Sequence, residues 1–437
     1  MNMKRYEKYK PSRIEWIGEV PEHWEECRLK SLLKEKLMYG ANESAETDNP
    51  DFPRYIRITD ITDDGKLKDE TFKSLNPISA APYLLKKGDL LFARSGSVGR
   101  TFLFDSDIQA CFAGYLIKAA FNNTVIPRYV YYFTQSGLYW SWISSINIQT
   151  TIQNIGAEKY NNMPFIRPTL EEQMVMVTYL DARCGDIDKV VATQEKRIAL
   201  LNEMKQSIIT QAVMRGLNPD AKMKDSGVEW IGMVPEHWEV KKLKFVSNSI
   251  SKGAGITKEQ VVEDGDTQCV RYGEIYTKYN HSFDSCVSAT NKDLHPVLQY
   301  FGYGDILFTC TGELVEEIGK SVVYLGHERC LAGGDILVVS HNQDPSFLNY
   351  ALNSYAQIQK SDGRAKLKVV HISTYDISNL LLALPPIEEQ KQIADEIDRR
   401  CSSIDKQIGA VTRQIELLRE YKQSLITDVV TGKVKVC

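Results

Sequence analysis

Two ten-residue segments of this 437-residue chain are nearly identical and lie 214 positions apart. Residues 15–24 read Glu-Trp-Ile-Gly-Glu-Val-Pro-Glu-His-Trp, and residues 229–238 read Glu-Trp-Ile-Gly-Met-Val-Pro-Glu-His-Trp. Nine of the ten positions agree, and four of the six tryptophans (Trp16, Trp24, Trp230, Trp238) fall inside this element. The register then continues with small slips. Arg57 matches Arg271, and Gly88-Asp89-Leu90-Leu91-Phe92 matches Gly304-Asp305-Ile306-Leu307-Phe308. Cys111-Phe112-Ala113-Gly114 is aligned with Cys330-Leu331-Ala332-Gly333. Glu171-Glu172-Gln173 matches Glu388-Glu389-Gln390, and Lys205-Gln206-Ser207 matches Lys422-Gln423-Ser424. Solenoid repeats recur every roughly 20–50 residues, so a period above 200 means two copies of a whole domain-plus-helix unit.

Each copy has two parts. The first mixes short β-branched and aromatic runs with Gly, Asn and Asp turns, which predicts a strand-rich globular domain. Candidate strands are Tyr55 to Ile61, Asp89 to Ala93 and Asp335 to Val339. The second part has the three-and-four spacing of a long helix with one apolar seam. In the first copy the seam is Met176, Leu180, Ile187, Val191, Ile198, Leu201 and Ile208. In the second it is Ile393, Ile397, Ile404, Ile408, Val411, Ile415, Leu418 and Leu425. Proline precedes each helix (Pro168; Pro385-Pro386), the first turn is acidic, and Gly216 or Gly432 follows the end. The predicted boundaries are 1–170 and 215–387 for the domains, 171–214 and 388–430 for the helices, and 431–437 for a tail.

The fold class expected is therefore α+β. Two homologous strand-rich domains are separated by an antiparallel pair of long coiled-coil helices, giving a pseudo-twofold dumbbell with a rod of roughly 65 Å. Such a rod is comparable to one or two turns of B-DNA and could hold two readers at a fixed separation. Diverged readers fused in one chain suit an asymmetric bipartite site, as a symmetric homodimer suits a palindrome.

Composition narrows the class. The formal charge is −4, with +2 over residues 1–170 and −4 over 215–387, so any DNA binding must come from local Lys and Arg clusters. Nine cysteines and seven histidines are scattered without metal-site spacing, which predicts free, mostly buried thiols and no metal. No apolar run approaches the roughly 18 residues that span a membrane, and the charged N-terminus is unlike a secretory signal. A cytoplasmic location is expected. There is no Gly-x-x-x-x-Gly-Lys-Ser/Thr loop, no Gly-x-Gly-x-x-Gly turn after a strand, and no Asn/Asp-Pro-Pro-Tyr/Phe motif. Glu203-Met204-Lys205 and Glu420-Tyr421-Lys422 have a nuclease-like spacing. Residues i and i+2 of a helix do not share a face, so they are expected to be solvated helix residues.

The layout resembles the specificity subunit of type I restriction-modification systems over nearly the whole chain. The residues that carry the resemblance are the twin Trp-Ile-Gly-x-Val-Pro-x-His-Trp openings and the twin Gly-Asp-Leu/Ile-Leu-Phe elements. The twin helix starts, Leu170-Glu171-Glu172-Gln173 and Ile387-Glu388-Glu389-Gln390, complete it. The resemblance implies two target-recognition domains, an antiparallel helical spacer and double-stranded DNA as partner. It further implies two modification subunits that use S-adenosylmethionine to methylate adenine. Restriction subunits would add translocation driven by ATP and Mg. No cofactor, catalytic residue or membrane is expected for this chain. Two other classes stay open: a self-sufficient nuclease or methyltransferase, and a coiled-coil adaptor that binds proteins.

Candidate DNA contacts follow from the chemistry of base edges and phosphates. Arg94, Ser95, Ser97 and Arg100 lie on a flexible loop after the Asp89–Ala93 run. The counterpart loop, Thr309 to Lys320, is longer and acidic and ends in the cation Lys320. Arg364, Lys366 and Lys368 place three cations in five residues. Their first-copy equivalents Gln149, Thr150 and Gln153 are uncharged, with amides suited to adenine edges. Both stretches are expected just before the strand that enters the long helix. Arg57 and Arg271 share one register on a strand, which suits a phosphate contact or a structural ion pair better than half-site discrimination. Each loop has the alternative of an ordinary solvated turn. The opening element reads as a packed strap anchoring each domain, with partner docking as the other possibility.

Overall fold

The computed structural model describes residues 4–14, 17–44, 46–62, 65–147, 154–312, 319–354, 356, 360 and 370–436. It divides into two compact units, Met1–Glu195 with Thr412–Cys437, and Lys196–Val411. The long helices are Leu170–Arg215 and Ile387–Val430, of 46 and 44 residues, so each supplies one end to either unit. At 1.5 Å per residue they are about 69 and 66 Å long.

Within each unit the helices run antiparallel, and the same ion pair occurs in both. In the first unit Lys422 Nζ lies 2.7 Å from the Asp188 carboxylate, and Arg419 lies 2.8 Å from Glu195. In the second, Lys205 Nζ lies 2.7 Å from Asp405. Lys205 and Lys422 are register partners of the duplication, as are Asp188 and Asp405. The lysines of the two Glu-x-Lys triplets are thus interhelical ion-pair donors, while Glu203 and Glu420 are exposed. Beneath these bonds lies the seam. Met176, Leu180, Ile187 and Val191 are buried in the first unit together with Ile415 and Leu425. Ile393, Ile397 and Ile404 are buried with Ile209 and Val213 in the second. Ile198, Leu201 and Ile208 are only half-buried.

The globular part of the first unit is built on a four-stranded antiparallel sheet. In spatial order its strands are Met38–Tyr39, Leu116–Ala119, Leu90–Ala93 and Thr101–Leu103. Leu90, Leu91 and Phe92 are wholly buried, because layers cover both faces of this strand, so its sequence is a continuous apolar run rather than an alternation. A parallel pair, Arg54–Ile56 and Ala110–Phe112, lies beside it. The second unit repeats the plan with longer sheets. One has Ile306–Thr309 between Ile336–His341 and Ser321–Tyr324, and the other contains the parallel pair Thr267–Val270 and Cys330–Ala332.

Three details differ from the sequence expectation. The strand expected over Tyr55 to Ile61 ends at Ile56, and a 3-10 turn covers Ile58–Asp60. A short helix, Ala157–Asn161, precedes the strand Pro164–Arg167 that enters the first long helix. The third concerns register. Tyr55 pairs with Cys111, whereas Cys269 pairs with Leu331. In space Cys111 therefore corresponds to Leu331, one residue away from the Cys330 that identity matching selects. Gly40 and Gly253 confirm the shift. A Cβ at Gly40 would lie 2.3 Å from the Phe112 carbonyl and 2.4 Å from that of Ala113. At Gly253 the clashes are with Ala332 and Gly333.

The opening element acts as a strap in both copies; Trp16 lies outside the described residues. Trp24 and Trp238 are wholly buried. Trp24 Nε1 donates to Glu172 Oε1 (3.2 Å), and His23 Nε2 lies 2.9 Å from the same oxygen. Trp238 Nε1 donates to Glu389 Oε1 (3.1 Å), with His237 Nε2 2.6 Å from the other oxygen. Burial pushes the Glu172 carboxyl up, but the hydrogen bonds from His23, Thr169 and Trp24 outweigh it and hold the group below the usual carboxylate range. The next residue is a second anchor. Gln173 and Gln390 are fully buried; each accepts a backbone N–H (Ile126, 2.8 Å; Asp344, 3.0 Å) and donates to a proline carbonyl (Pro168, Pro385; 2.9 Å each). The far end of the other helix closes the joint. A Cβ at Gly432 (φ +73°) would meet Pro21 at 2.5 Å and Trp24 at 2.9 Å, and one at Gly216 (φ +71°) would meet Trp238 at 3.3 Å. The eight described cysteines are free thiols, and among the described residues no helix is long and apolar enough to cross a membrane.

Trp24→Ala is expected to destabilise its unit by about 3–5 kcal/mol, the cost of emptying a wholly buried indole site. Glu172→Gln, which keeps the volume, should cost about 1–2 kcal/mol. Urea unfolding followed by circular dichroism distinguishes the two. Equal small losses would mean that the indole is not the anchor.

Candidate nucleic-acid interface

In the first unit three connections leave the sheet ends together. The chain leaving Ile56 makes the turn Arg57–Asp60, the chain leaving Ala93 makes the loop Arg94–Arg100, and Tyr115 precedes the strand Leu116–Ala119. Backbone bonds tie them to each other. Arg94 N–H donates to the Tyr115 carbonyl (3.0 Å), Ala93 N–H to Arg100 (2.8 Å) and Ile155 N–H to the Arg94 carbonyl (2.9 Å). Arg100 Nη1 donates to the Ile61 carbonyl (3.3 Å), which joins the loop to the Arg57 turn. Arg57, Arg94, Ser95, Ser97 and Arg100 are thus brought to one end of the domain.

Their environments differ. Arg57 does not lie in a strand; it caps the turn. Its backbone N–H and Nε both donate to Asp60 Oδ2 (2.8 and 3.0 Å), and Nη2 donates to Oδ1 (2.6 Å) and to the Thr71 carbonyl (2.9 Å). Asp60 is buried, so this pair satisfies a carboxylate that would otherwise be desolvated without a partner. The Asp60 hydrogen bond holds the Arg57 guanidinium further into its charged range. Arg94 has no carboxylate partner among the described residues. Its guanidinium carbon lies 4.9 Å from the centre of the Tyr39 ring, and Nε donates to Asn154 Oδ1 (3.3 Å). Ser97 is exposed and Ser95 half-buried, with Gly96 between them at φ +77° in open space.

The second unit reproduces the frame with other side chains. Arg271 caps the short helix Tyr272–Thr277 as Arg57 caps its turn, through Nε and Nη2 donation to Glu274 Oε1 (3.1 and 3.0 Å). Glu274 is buried and also accepts from Ser288 Oγ (2.7 Å). Thr309 N–H donates to the Lys320 carbonyl (3.0 Å), so Lys320 stands where Arg100 does; its Nζ donates to the Tyr279 carbonyl (3.1 Å). Cys310 N–H donates to the Asp335 carbonyl (2.8 Å), and Ile372 N–H to that of Cys310 (2.8 Å), so Cys310 replaces Arg94 and Asp335 replaces Tyr115. A cleft of about 810 Å³ opens here, lined by Lys258, Arg271, Tyr272, Glu274, Lys278 and Asp335 among others. Gln149, Thr150, Gln153, Arg364, Lys366 and Lys368 lie outside the described residues.

The family model of the type I restriction modification DNA specificity domain matches residues 21–202 and again 235–413. The chain belongs to this family. Specificity subunits recognise DNA sequence, are themselves non-catalytic, and assemble with other restriction-modification subunits. Among similar proteins is the candidate MjaX type I restriction enzyme specificity subunit of Methanocaldococcus jannaschii, 27% identical over 96% of each chain. The EcoKI specificity subunit of Escherichia coli K12 is 22% identical, over 95% of this chain and 90% of its own. The fold is shared with a chain in the solved structure on complex assembly and conformational transition of the type I R-M system. That chain has a TM-score of 0.70 at 15% identity, over 95% of this chain and 99% of the other.

Sequence reasoning did not single out Tyr39 or Tyr115, and it placed Asn154 only at the end of the amide-rich stretch 149–154. Tyr39 and Tyr115 are exposed aromatics, 41% and 65% accessible, and Asn154 is exposed beside Arg94. The sequence signal of the two tyrosines is that large rings occur where the second copy has Lys252 and Asp335, which becomes visible once the backbone register is known.

Arg57→Ala should act on stability. It leaves the buried Asp60 carboxylate without its guanidinium and is expected to cost about 1–3 kcal/mol. Pairing it with Asp60→Asn should recover part of that loss. A double-mutant cycle by thermal or urea unfolding checks the coupling, and additivity of the two single losses would contradict it.

Proposed function

We propose that this chain reads an asymmetric bipartite DNA sequence, one half with each globular domain, and carries two methyltransferase subunits to adenines within that site. The helices shared by the two domains set the length of the unread spacer. S-adenosylmethionine, and ATP with Mg where restriction subunits join, bind the partner subunits on this reading. One observation carries it: a duplicated frame, held by matching backbone bonds, presents unlike side chains at equivalent positions, with Arg94 against Cys310 and Tyr115 against Asp335. Two readers of one construction with different surfaces are what two unlike half-sites require.

The adenine methylome of cells holding the neighbouring modification subunit, with and without this chain, tests the reading. A single asymmetric bipartite motif that depends on the chain is expected. No chain-dependent methylation, with the partner expressed and bound, would overturn it in favour of an adaptor. Exchanging residues 12–170 for those of a homologous domain should change one half of the motif and leave the other.

Seven residues inserted near Val191 add two helical turns, about 10 Å, without rotating the seam. The recognised spacer should lengthen or methylation should be lost. An unchanged motif would mean that the helices are not the ruler.

A further inference from the structure

The cations that the two copies share are engaged within their own domains. Arg57 and Arg271 neutralise Asp60 and Glu274, and Arg100 and Lys320 donate to the carbonyls of Ile61 and Tyr279. Arg94 has no cationic counterpart, because the frame puts buried Cys310 in its place. Its setting is that of a held donor. Tyr39 is fixed by its strand, Met38–Tyr39, and by the Ala157 N–H that donates to its hydroxyl (2.9 Å). The guanidinium packs over that ring, and its Nε is committed to Asn154, whose neighbour Ile155 is bonded back to the Arg94 carbonyl. Ring and amide fix the guanidinium and leave both terminal nitrogens as donors. Two parallel N–H groups in a fixed fork match the O6 and N7 acceptors of guanine in the major groove. Preorganisation of the fork reduces the ordering cost of that contact.

Building on the DNA-reading function above, we propose that Arg94 reads a guanine in the half-site of the first domain, with Tyr39 and Asn154 as its positioning residues. Tyr115, exposed and one backbone bond away, borders the same spot. The second domain, with a thiol and a carboxylate at the equivalent positions, reads its half-site by other means.

The test uses the full chain in complex with its modification subunits, and duplexes built on the wild-type methylome motif. Each base pair of one half-site is substituted in turn, and affinity is measured by anisotropy at several salt concentrations. Arg94→Ala and Arg94→Lys should both lose discrimination at a single G·C position of one half-site, by about 5- to 150-fold, the range of one bidentate contact. Discrimination in the other half-site should persist, which also shows that the variants are folded. Tyr39→Leu, which removes the ring, should lose part of the same discrimination, and Tyr39→Phe, which keeps the ring but not the acceptor for the Ala157 N–H, should lose less of it. A loss uniform over all sequences, with a salt slope shallower by about one unit and Arg94→Lys near wild type, would make Arg94 a phosphate contact and overturn the assignment. Unchanged discrimination in Arg94→Ala would overturn it too, with the wider function intact. Absence of any motif for the wild-type complex would overturn both.

Discussion

The joint made by Trp24, Glu172 and Gly432, and again by Trp238, Glu389 and Gly216, is the contact on which the rest of each unit depends. A wholly buried indole cannot leave its N–H without an acceptor, and the carboxylate that accepts it stands in the first turn of a helix. Backbone N–H groups there are unpaired and favour a negative charge, so Glu172 and Glu389 suit the helix end and the tryptophan together. The same ring lies where the other long helix terminates, and that terminal residue must be glycine for two reasons. The positive φ favours it in both joints, and a Cβ would run into Pro21 and Trp24 at Gly432 and press tightly on Trp238 at Gly216. One side chain thus joins the start of the domain, the start of its own helix and the end of its partner helix. Antiparallel pairing follows, since only that arrangement brings the end of one helix to the start of the other.

That dependence explains which parts were legible in the sequence. The duplication, the helix limits near Pro168 and Gly216, and the apolar seam were readable because each rests on identity or periodicity. The strap's burial was also legible, from tryptophans repeated where a turn would hold polar residues. The Glu-Glu-Gln starts were read as a repeat, a family motif and acidic first turns, without a tertiary role. The second glutamate and the glutamine in fact make the tertiary joints, which depend on partners about 150 and 47 positions away. Register within the domain was legible to within one residue. Identity aligned Cys111 with Cys330, but backbone pairing moves the match to Leu331, because an insertion between strands leaves no trace in a four-residue comparison.

The candidate interface was legible in position and less so in chemistry. The one loop chosen for its Gly, Ser and Arg content, Arg94–Arg100, lies at the same end of the first domain as Arg57, while Gln149, Thr150 and Gln153 lie outside the described residues. Arg57 and Arg271 were left between phosphate contact and ion pair, and the local sequence holds the geometric answer: an acid three residues on, at Asp60 and Glu274, turns a strand residue into a cap. Tyr39 and Tyr115 were invisible, and the part Asn154 plays beside Arg94 was too, because the contacts that give them meaning are long-range. Tyr39 lies 55 positions from Arg94, and Asn154 lies 60 positions beyond it.

A frame held by main-chain bonds is what allows the two domains to diverge. The N–H of Arg94 bonds the carbonyl of Tyr115, and the N–H of Cys310 bonds that of Asp335, at 3.0 and 2.8 Å. The next link, Ile155 to Arg94 and Ile372 to Cys310, is likewise N–H to carbonyl. Neither bond involves a side chain, so a cation beside an aromatic ring can give way to a thiol beside a carboxylate without moving the backbone. Stability rests elsewhere, in the tryptophan joint, the capping arginines and the buried strands, all of which recur in both copies. The residues that could read DNA and the residues that hold the fold are therefore largely different residues.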